Sequence, residues 1–437
     1  MLLLQIADIH FRHPECNTPD MDPDRAYRTR LLNDVRNRVQ VLGPVGAILV
    51  GGDIAFRGIE DEYTAAFAWL KDLATASGCP IERVFVVPGN HDVDRSVITK
   101  SFAVQNAQAA ISRAPADYRE RLLRAQFMNP ETGRTLLEPL AAYNEFAKIF
   151  SCQVFSPERL YWKQNLELED GVTLRIHGLT STILSGINGQ NDTRESLYLS
   201  PLQTILDPVE DVVNLVMSHH PPDWFKDQDE IEDAVQGRAA IHMFGHKHRQ
   251  RIVRDRRYVR LAAGAVNPDR VEPGWQPGYN LVDVTVEGRG AERKLVINSH
   301  LLAWQTHPEM FRPITDDDAG DVFIHSVSFP SRRLGNAAPL PPPTIADAPT
   351  TEAIELPNDS VEASMSDEHT RNLVFRFWKL TTSQRREISL ALGLIERSEL
   401  KLPEPERYGR ALLRAGERGL LDALANEVAK KENNNGR

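Results

Sequence analysis

Short apolar runs that stop abruptly at polar, ligand-type residues constrain this chain more than any other feature. Leu2 to Ile6 ends at Ala7-Asp8-Ile9-His10, Val45 to Val50 at Gly51-Gly52-Asp53, and Val84 to Val87 at Pro88-Gly89-Asn90-His91-Asp92. Farther on, Val212 to Met217 ends at Ser218-His219-His220-Pro221-Pro222, and Ala240 to Phe244 at Gly245-His246-Lys247-His248. Short apolar runs bounded by turn formers read as buried strands. Between the early runs lie helical patterns. Tyr27, Leu31, Val35, Val39 and Leu42 recur at helical spacing between Asp22-Pro23 and Gly43, and Tyr63, Phe67 and Leu70 form a second stripe. Strand, polar tip, helix is the rhythm of an α/β domain whose site lies beyond the carboxyl ends of its strands.

The tips carry a consistent chemistry. Asp8 and His10 sit two residues apart, so in an extended segment they point the same way. Asn90 is a neutral amide, a poor base and a weak isolated ligand. Its place beside His91 suggests a crowded, highly charged metal site with room for one uncharged oxygen donor. The later runs Tyr258 to Leu261, Tyr279 to Val286 and Lys294 to Ile297 are closely spaced, which favours antiparallel pairing and mixed sheets.

Residues 96–150 contain no strand-like run and are alanine-rich, polar and helical in pattern, as an insertion over the site or a lid would be. Between 330 and 365 proline, alanine, threonine and acidic residues dominate, including Pro339-Leu340-Pro341-Pro342-Pro343, which reads as a semi-rigid linker. Helical signals return over 366–432. Leu373, Phe377 and Leu380 share a face, Thr381 and Gln384 form a capping box, Pro403 opens a third helix, and Leu420, Leu424 and Val428 stripe a fourth. The expected organisation is a catalytic domain over 1–329, a linker, and a small helical unit.

Composition narrows the partners. A net charge of -10 gives no global attraction to nucleic acid or anionic membrane, although a local basic groove can hide inside an acidic average. Cys16, Cys79 and Cys152 are too scattered for a disulfide framework or thiolate zinc site, which fits a cytoplasmic protein. No uncharged apolar run is long enough to span a bilayer, and Met1 to Leu4 opens a strand rather than a signal peptide.

Taken in order, Asp8-x-His10, Gly52-Asp53, Gly89-Asn90-His91-Asp92, His219 and Gly245-His246-x-His248 resemble the calcineurin-like metallophosphoesterase superfamily over roughly the first 300 residues. The resemblance implies two stacked mixed β-sheets flanked by helices. It also implies two divalent cations, with manganese favoured and iron, zinc or nickel as alternatives. Asp8, His10, Asp53 and His248 would hold the first, and Asn90, His219 and His246 the second, with Asp53 bridging. Either His219 or His220 could serve as that ligand; the family's spacing to the following proline selects His219 and leaves His220 to face substrate or simply to pack.

The expected reaction is hydrolysis of a phosphate ester by hydroxide held between the metals. His91 assists the leaving group, and Asp92 orients its ring. Arg57 and Arg95 are candidate clamps for substrate phosphate. The context after Asn90 resembles bacterial phosphodiesterase-like members, so a phosphodiester is favoured, with nucleic acid and cyclic nucleotides as candidate substrates. The alternatives are a nuclease recruited into a multi-protein bacterial system through a protein partner of 366–432, a phosphomonoesterase, and a noncatalytic scaffold stapled by metal.

Overall fold

The computed structural model describes residues 1–271, 274–315, 320–328 and 368–434. The expected linker at 330–365 lies outside the described residues. In chain order the strands are β1 (Leu2–Ile6), β2 (Val45–Val50), β3 (Val84–Val86), β4 (Trp162–Glu167), β5 (Thr173–Gly178), β6 (Val212–Met217) and β7 (Ile241–Phe244). They continue with β8 (Arg251–Asp255), β9 (Tyr258–Ala262), β10 (Gly278–Glu287), β11 (Lys294–Gln305), β12 (Met310–Pro313) and β13 (Phe323–Ser328).

Two mixed sheets result. One runs β12-β11-β10-β1-β2-β3, with β13 also on β11; the other runs β4-β5-β6-β7-β9-β8. The sheet centres are parallel: β1, β2 and β3 in the first, and β5, β6, β7 and β9 in the second. Near-continuous apolar sequence in β1, β2 and β6 agrees with strands covered on both faces. The polar exception in β1, Gln5, is buried and joins the sheets. Its side-chain nitrogen donates to the Leu261 carbonyl at 3.2 Å, and its oxygen accepts from Asn280 at 2.9 Å.

The helices follow their stripes. Arg25–Leu42 buries Leu31 and Val35 and stops where Gly43 takes φ 88°; Glu60–Ser77 buries Tyr63, Ala66, Leu70 and Leu73. The 96–150 stretch is helical as expected, but it is not a detachable cover. Its Val104, Ile111, Leu123, Phe127, Tyr143 and Phe146 belong to the same apolar core as the strands. Tyr143 from this stretch and Trp162 from β4 each donate to the Val86 carbonyl at 3.0 Å, which fixes the end of β3 just before the Asn90 corner.

Residues 368–434 fold as a small helical bundle around a separate core that includes Leu373, Phe377, Ile388, Tyr408, Leu412, Leu424 and Val428. The Thr381/Gln384 capping box is present. The bundle packs on the first unit. The Arg371 guanidinium is buried 3.9 Å above the Phe85 ring, Asn372 donates to Glu82 at 2.9 Å, and Arg410 reaches Glu158 at 2.9 Å. Ending the chain at residue 329 is therefore expected to lower its melting temperature by roughly 2–3 °C, since exposing this face loses ~2 kcal/mol of burial and ion-pair stabilisation. A truncated chain that melts with the full-length one in calorimetry would show the two units to be independent.

Candidate functional site

The carboxyl ends of β1, β2 and β3 in one sheet and of β6 and β7 in the other converge. The five polar tips of the sequence therefore meet in one place. Asp8 and His10 leave β1, Asp53 leaves β2, Asn90 and His91 leave β3, His219 leaves β6, and His246 and His248 leave β7.

The backbone at these tips is unusual. Asp8, His10, Asp53, His246 and His248 all have positive φ, between 51° and 67°. That region is disfavoured for residues with a Cβ and concentrates at functional sites. Each turn swings its side chain off the strand direction and into the shared centre. Two glycines make room. A Cβ on Gly52, itself at φ 92°, would lie 2.6 Å from His219 Nδ1, and one on Gly89 would collide with the Asp53 carboxylate.

Asp53 lies at the centre and is 1% exposed. Its Oδ2 is 3.3 Å from His10 Nε2 and 3.4 Å from His219 Nε2, while its Oδ1 accepts the His91 backbone N–H at 2.7 Å. On one side Asp8 lies 3.3 Å from His248 Nε2; on the other His219 Nε2 lies 3.1 Å from Asn90 Oδ1 and 3.2 Å from His246 Nδ1. Four overlapping sets have donor atoms all within 4.8 Å of one another: Asp8, His10, His248; Asp8, Asp53, His219; His10, Asp53, His91; and His219, His220, His246.

Neighbouring groups fix the rings. His10 Nδ1 is 3.2 Å from the Asn267 carbonyl, and His219 Nδ1 is 2.8 Å from that of Gly51. Both contacts require Nδ1–H and leave Nε2 as the donor atom at the centre. Asn267 has no motif around it that would mark it as part of a site. Its side chain donates to the Ile9 carbonyl at 2.7 Å, tying the β1 tip to the later chain.

Electrostatics show what the cluster is suited to hold. Burial opposes ionisation of Asp53, but His219 and His91 outweigh it and hold the carboxyl well below its usual range. Burial also pulls on His219, yet the Asp53 carboxylate raises it to about 9; burial and then His219 push His246 down to about 3. Negative carboxylates buried against imidazoles, with no thiolate in the set, match divalent cations that prefer oxygen and nitrogen.

Two expectations need correction. Asp92 does not orient His91. Its buried carboxylate accepts from the backbone N–H groups of Gly89 at 2.8 Å, Ala55 at 3.0 Å and Ile54 at 3.1 Å, and from the Tyr63 hydroxyl at 2.9 Å. It clamps the β2 tip to the β3 tip. His91 is held instead by the Phe56 carbonyl, 2.9 Å from its Nδ1, and by stacking on the Phe56 ring at 4.8 Å. His220 does not face an open substrate space: it is fully buried, with Nδ1 2.9 Å from Ser181 and Nε2 3.8 Å from Asp192. His219, not His220, reaches both Asp53 and Asn90. Arg95 is tied to Asn191 at 2.6 Å, and Arg57 is exposed, its backbone N–H donating to Glu62 at 2.8 Å. Trp224 stands perpendicular to the His246 ring at 4.0 Å, a contact that no motif marks, since an aromatic residue after Pro221-Pro222-Asp223 reads as packing.

A family model described as calcineurin-like phosphoesterase matches residues 1–250, and one described as GTPase-associated adaptor domain matches residues 369–430. No curated protein matches the chain. Similar solved structures include Vps29 of Chaetomium thermophilum, at 10% identity over 76% of this chain and 100% of that one, with a TM-score of 0.28. A predicted phosphoesterase of Streptococcus pneumoniae gives 13% identity over 74% and 97%, with a TM-score of 0.27. A putative 5'-nucleotidase of Staphylococcus aureus gives 12% over 85% and 57%, with a TM-score of 0.31. At these scores the likenesses carry no argument about the site. No helix among the described residues is long and apolar enough to cross a membrane.

Proposed function

This chain belongs to the calcineurin-like phosphoesterase family, and from that premise we propose that it hydrolyses phosphodiesters with the help of two divalent cations. The observation that carries the reading is the sharing of Asp53 between neighbouring donor sets at the convergence of five strand ends. Asp8, His10, Asp53 and His248 would hold one cation, and Asp53, Asn90, His219 and His246 the other. Manganese is the first metal to test, with iron, zinc and nickel as the alternatives, because the donors are all oxygen and nitrogen. Cations so placed would supply Lewis-acid polarisation of the phosphoryl oxygens and a water nucleophile at neutral pH.

The chain's own groups then have distinct tasks. The glycines at the tips and the Asp92 clamp hold the donors in a fixed frame before substrate arrives. His91, with Nδ1 engaged by Phe56, has Nε2 left to pass a proton to the departing oxygen. Arg57 and Arg95 remain candidates for binding phosphate oxygens at the rim. The helical unit at 369–430 would act as an adaptor to a protein partner, and the name of its family makes a GTPase-containing assembly the first to test.

A substrate panel checks the reaction. Manganese-loaded protein is expected to turn over bis-p-nitrophenyl phosphate at least ~10-fold faster than the monoester, with EDTA abolishing both. Faster monoester hydrolysis would replace the phosphodiester reading, and hydrolysis of neither ester would leave a metal-stapled scaffold.

A further inference from the structure

Beside the convergent tips, a cavity of about 510 Å³ opens at His246 and Trp224 and extends along β8 and β9. Its lining departs from the acidic average of the chain. Lys247 stands between two candidate metal donors, and its ammonium contacts Asp223 at 2.8 Å; Arg194 shares the same carboxylate at 3.0 Å. Arg260 is matched by Glu232 at 2.6 Å. Arg249 and Arg251 are exposed and have no carboxylate partner among the described residues. Among the described residues the cavity is thus left with uncompensated positive charge, concentrated one and three residues past His248 in sequence.

Trp224 supplies an independent observation. It forms an aromatic wall against His246, and its indole nitrogen is buried without a hydrogen-bond partner. A planar ring in the cavity would pack on the indole face that lines it.

We infer that this cavity is a subsite for a second phosphate group, flanking the ester that is cleaved, on a substrate of nucleotide type. The inference rests on the phosphodiesterase reading and specifies which diesters the site takes. A bare diester has nothing to place on Arg249 and Arg251. A nucleotide chain with a further phosphate does, and its base can meet Trp224. The same chemistry is offered by a free phosphorylated dinucleotide and by a single-stranded oligonucleotide, and either would reach the cavity from the metal-donor side.

The test is calorimetric binding to the full-length chain in EDTA, so that nothing is hydrolysed. The probes are the dinucleotides TpT and pTpT, with one and two phosphates, and a ten-residue oligothymidylate. Wild-type protein is expected to bind pTpT at least ~10-fold more tightly than TpT, and Arg249→Glu with Arg251→Glu should erase that difference, since a hydrogen-bonded ionic contact is worth about tenfold or more. Both arginines are exposed, so unchanged melting of the double variant controls for folding. Oligothymidylate binding much tighter than pTpT, with a salt dependence the double variant reduces, would identify the nucleic-acid strand as the source; equal affinities would identify the dinucleotide. No preference for pTpT over TpT in the wild type, or a preference that survives the double substitution, overturns the subsite. Hydrolysis of bis-p-nitrophenyl phosphate, which has no second phosphate, is measured alongside. Its absence counts against the reaction, whereas its presence with no pTpT preference counts against the subsite alone.

Discussion

Replacing Asp53 with asparagine is expected to lower kcat/KM on bis-p-nitrophenyl phosphate by more than ~100-fold, beyond the range seen when a group behind a metal ligand is lost. The same change is expected to remove the rise in melting temperature on adding manganese. One carboxylate oxygen of Asp53 contacts both halves of the cluster, 3.3 Å from His10 and 3.4 Å from His219. Asparagine has the same shape and fits the space kept by Gly52 and Gly89, so the effect isolates charge from packing. Without that charge, two cations would sit close together among imidazoles, with only Asp8 to offset them. In the wild type, metal at 100 times its Kd should add ~2.7 kcal/mol, seen as roughly 3 °C in a chain of this size. An asparagine variant that keeps both the thermal shift and the turnover would mean that Asp53 bridges nothing.

How far such a site is legible in sequence depends on whether its residues share a strand end. Asp8, Asp53, Asn90, His219 and His246 each follow an apolar run, and strand ends are where an open α/β sheet places a ligand. Groups that act from elsewhere leave no such mark. Asn267 holds His10 through a backbone carbonyl, and any residue there carries a carbonyl. Trp224 follows two prolines, where an aromatic residue reads as packing. The role of Asp92 is hidden for a related reason. Adjacency to His91 in sequence suggested a ring-orienting carboxylate, but successive side chains of a tight corner diverge, and Asp92 turns back toward the backbone of Ile54 and Ala55.

The fold shows the same division. Parallel strands covered on both faces, such as β1, β2 and β6, announce themselves as apolar runs. By contrast β4, Trp-Lys-Gln-Asn-Leu-Glu, alternates buried and half-buried positions with Gln164 on the buried side, and β8 is mostly exposed and rich in arginine. Both are outer strands of the second sheet, where one side meets no further strand and apolar continuity is not required. That freedom is also why the basic residues at Arg249 and Arg251 can sit beside the metal donors without disturbing the core.

For His91 the expected result is a split between rate and metal content. His91→Ala should lower kcat by ~10²–10⁴-fold, the usual worth of a positioned proton donor, while metal stoichiometry stays near that of the wild type. The rival is a ligand role, which the geometry leaves open to test: His91 has a ring nitrogen within 4.8 Å of donor atoms on His10 and Asp53. The leaving group separates the two. p-Nitrophenolate departs with little need of a proton, whereas a nucleoside alkoxide needs one. A proton donor lost at His91 should therefore cost at least ~10-fold more on a dinucleotide than on bis-p-nitrophenyl phosphate. A lost ligand would depress both substrates alike and lower the bound metal. The Phe56 contacts favour the first outcome. The Phe56 carbonyl 2.9 Å from Nδ1 and the ring stacked at 4.8 Å hold the imidazole in one orientation through protein groups alone, so its placement does not depend on a bond to metal.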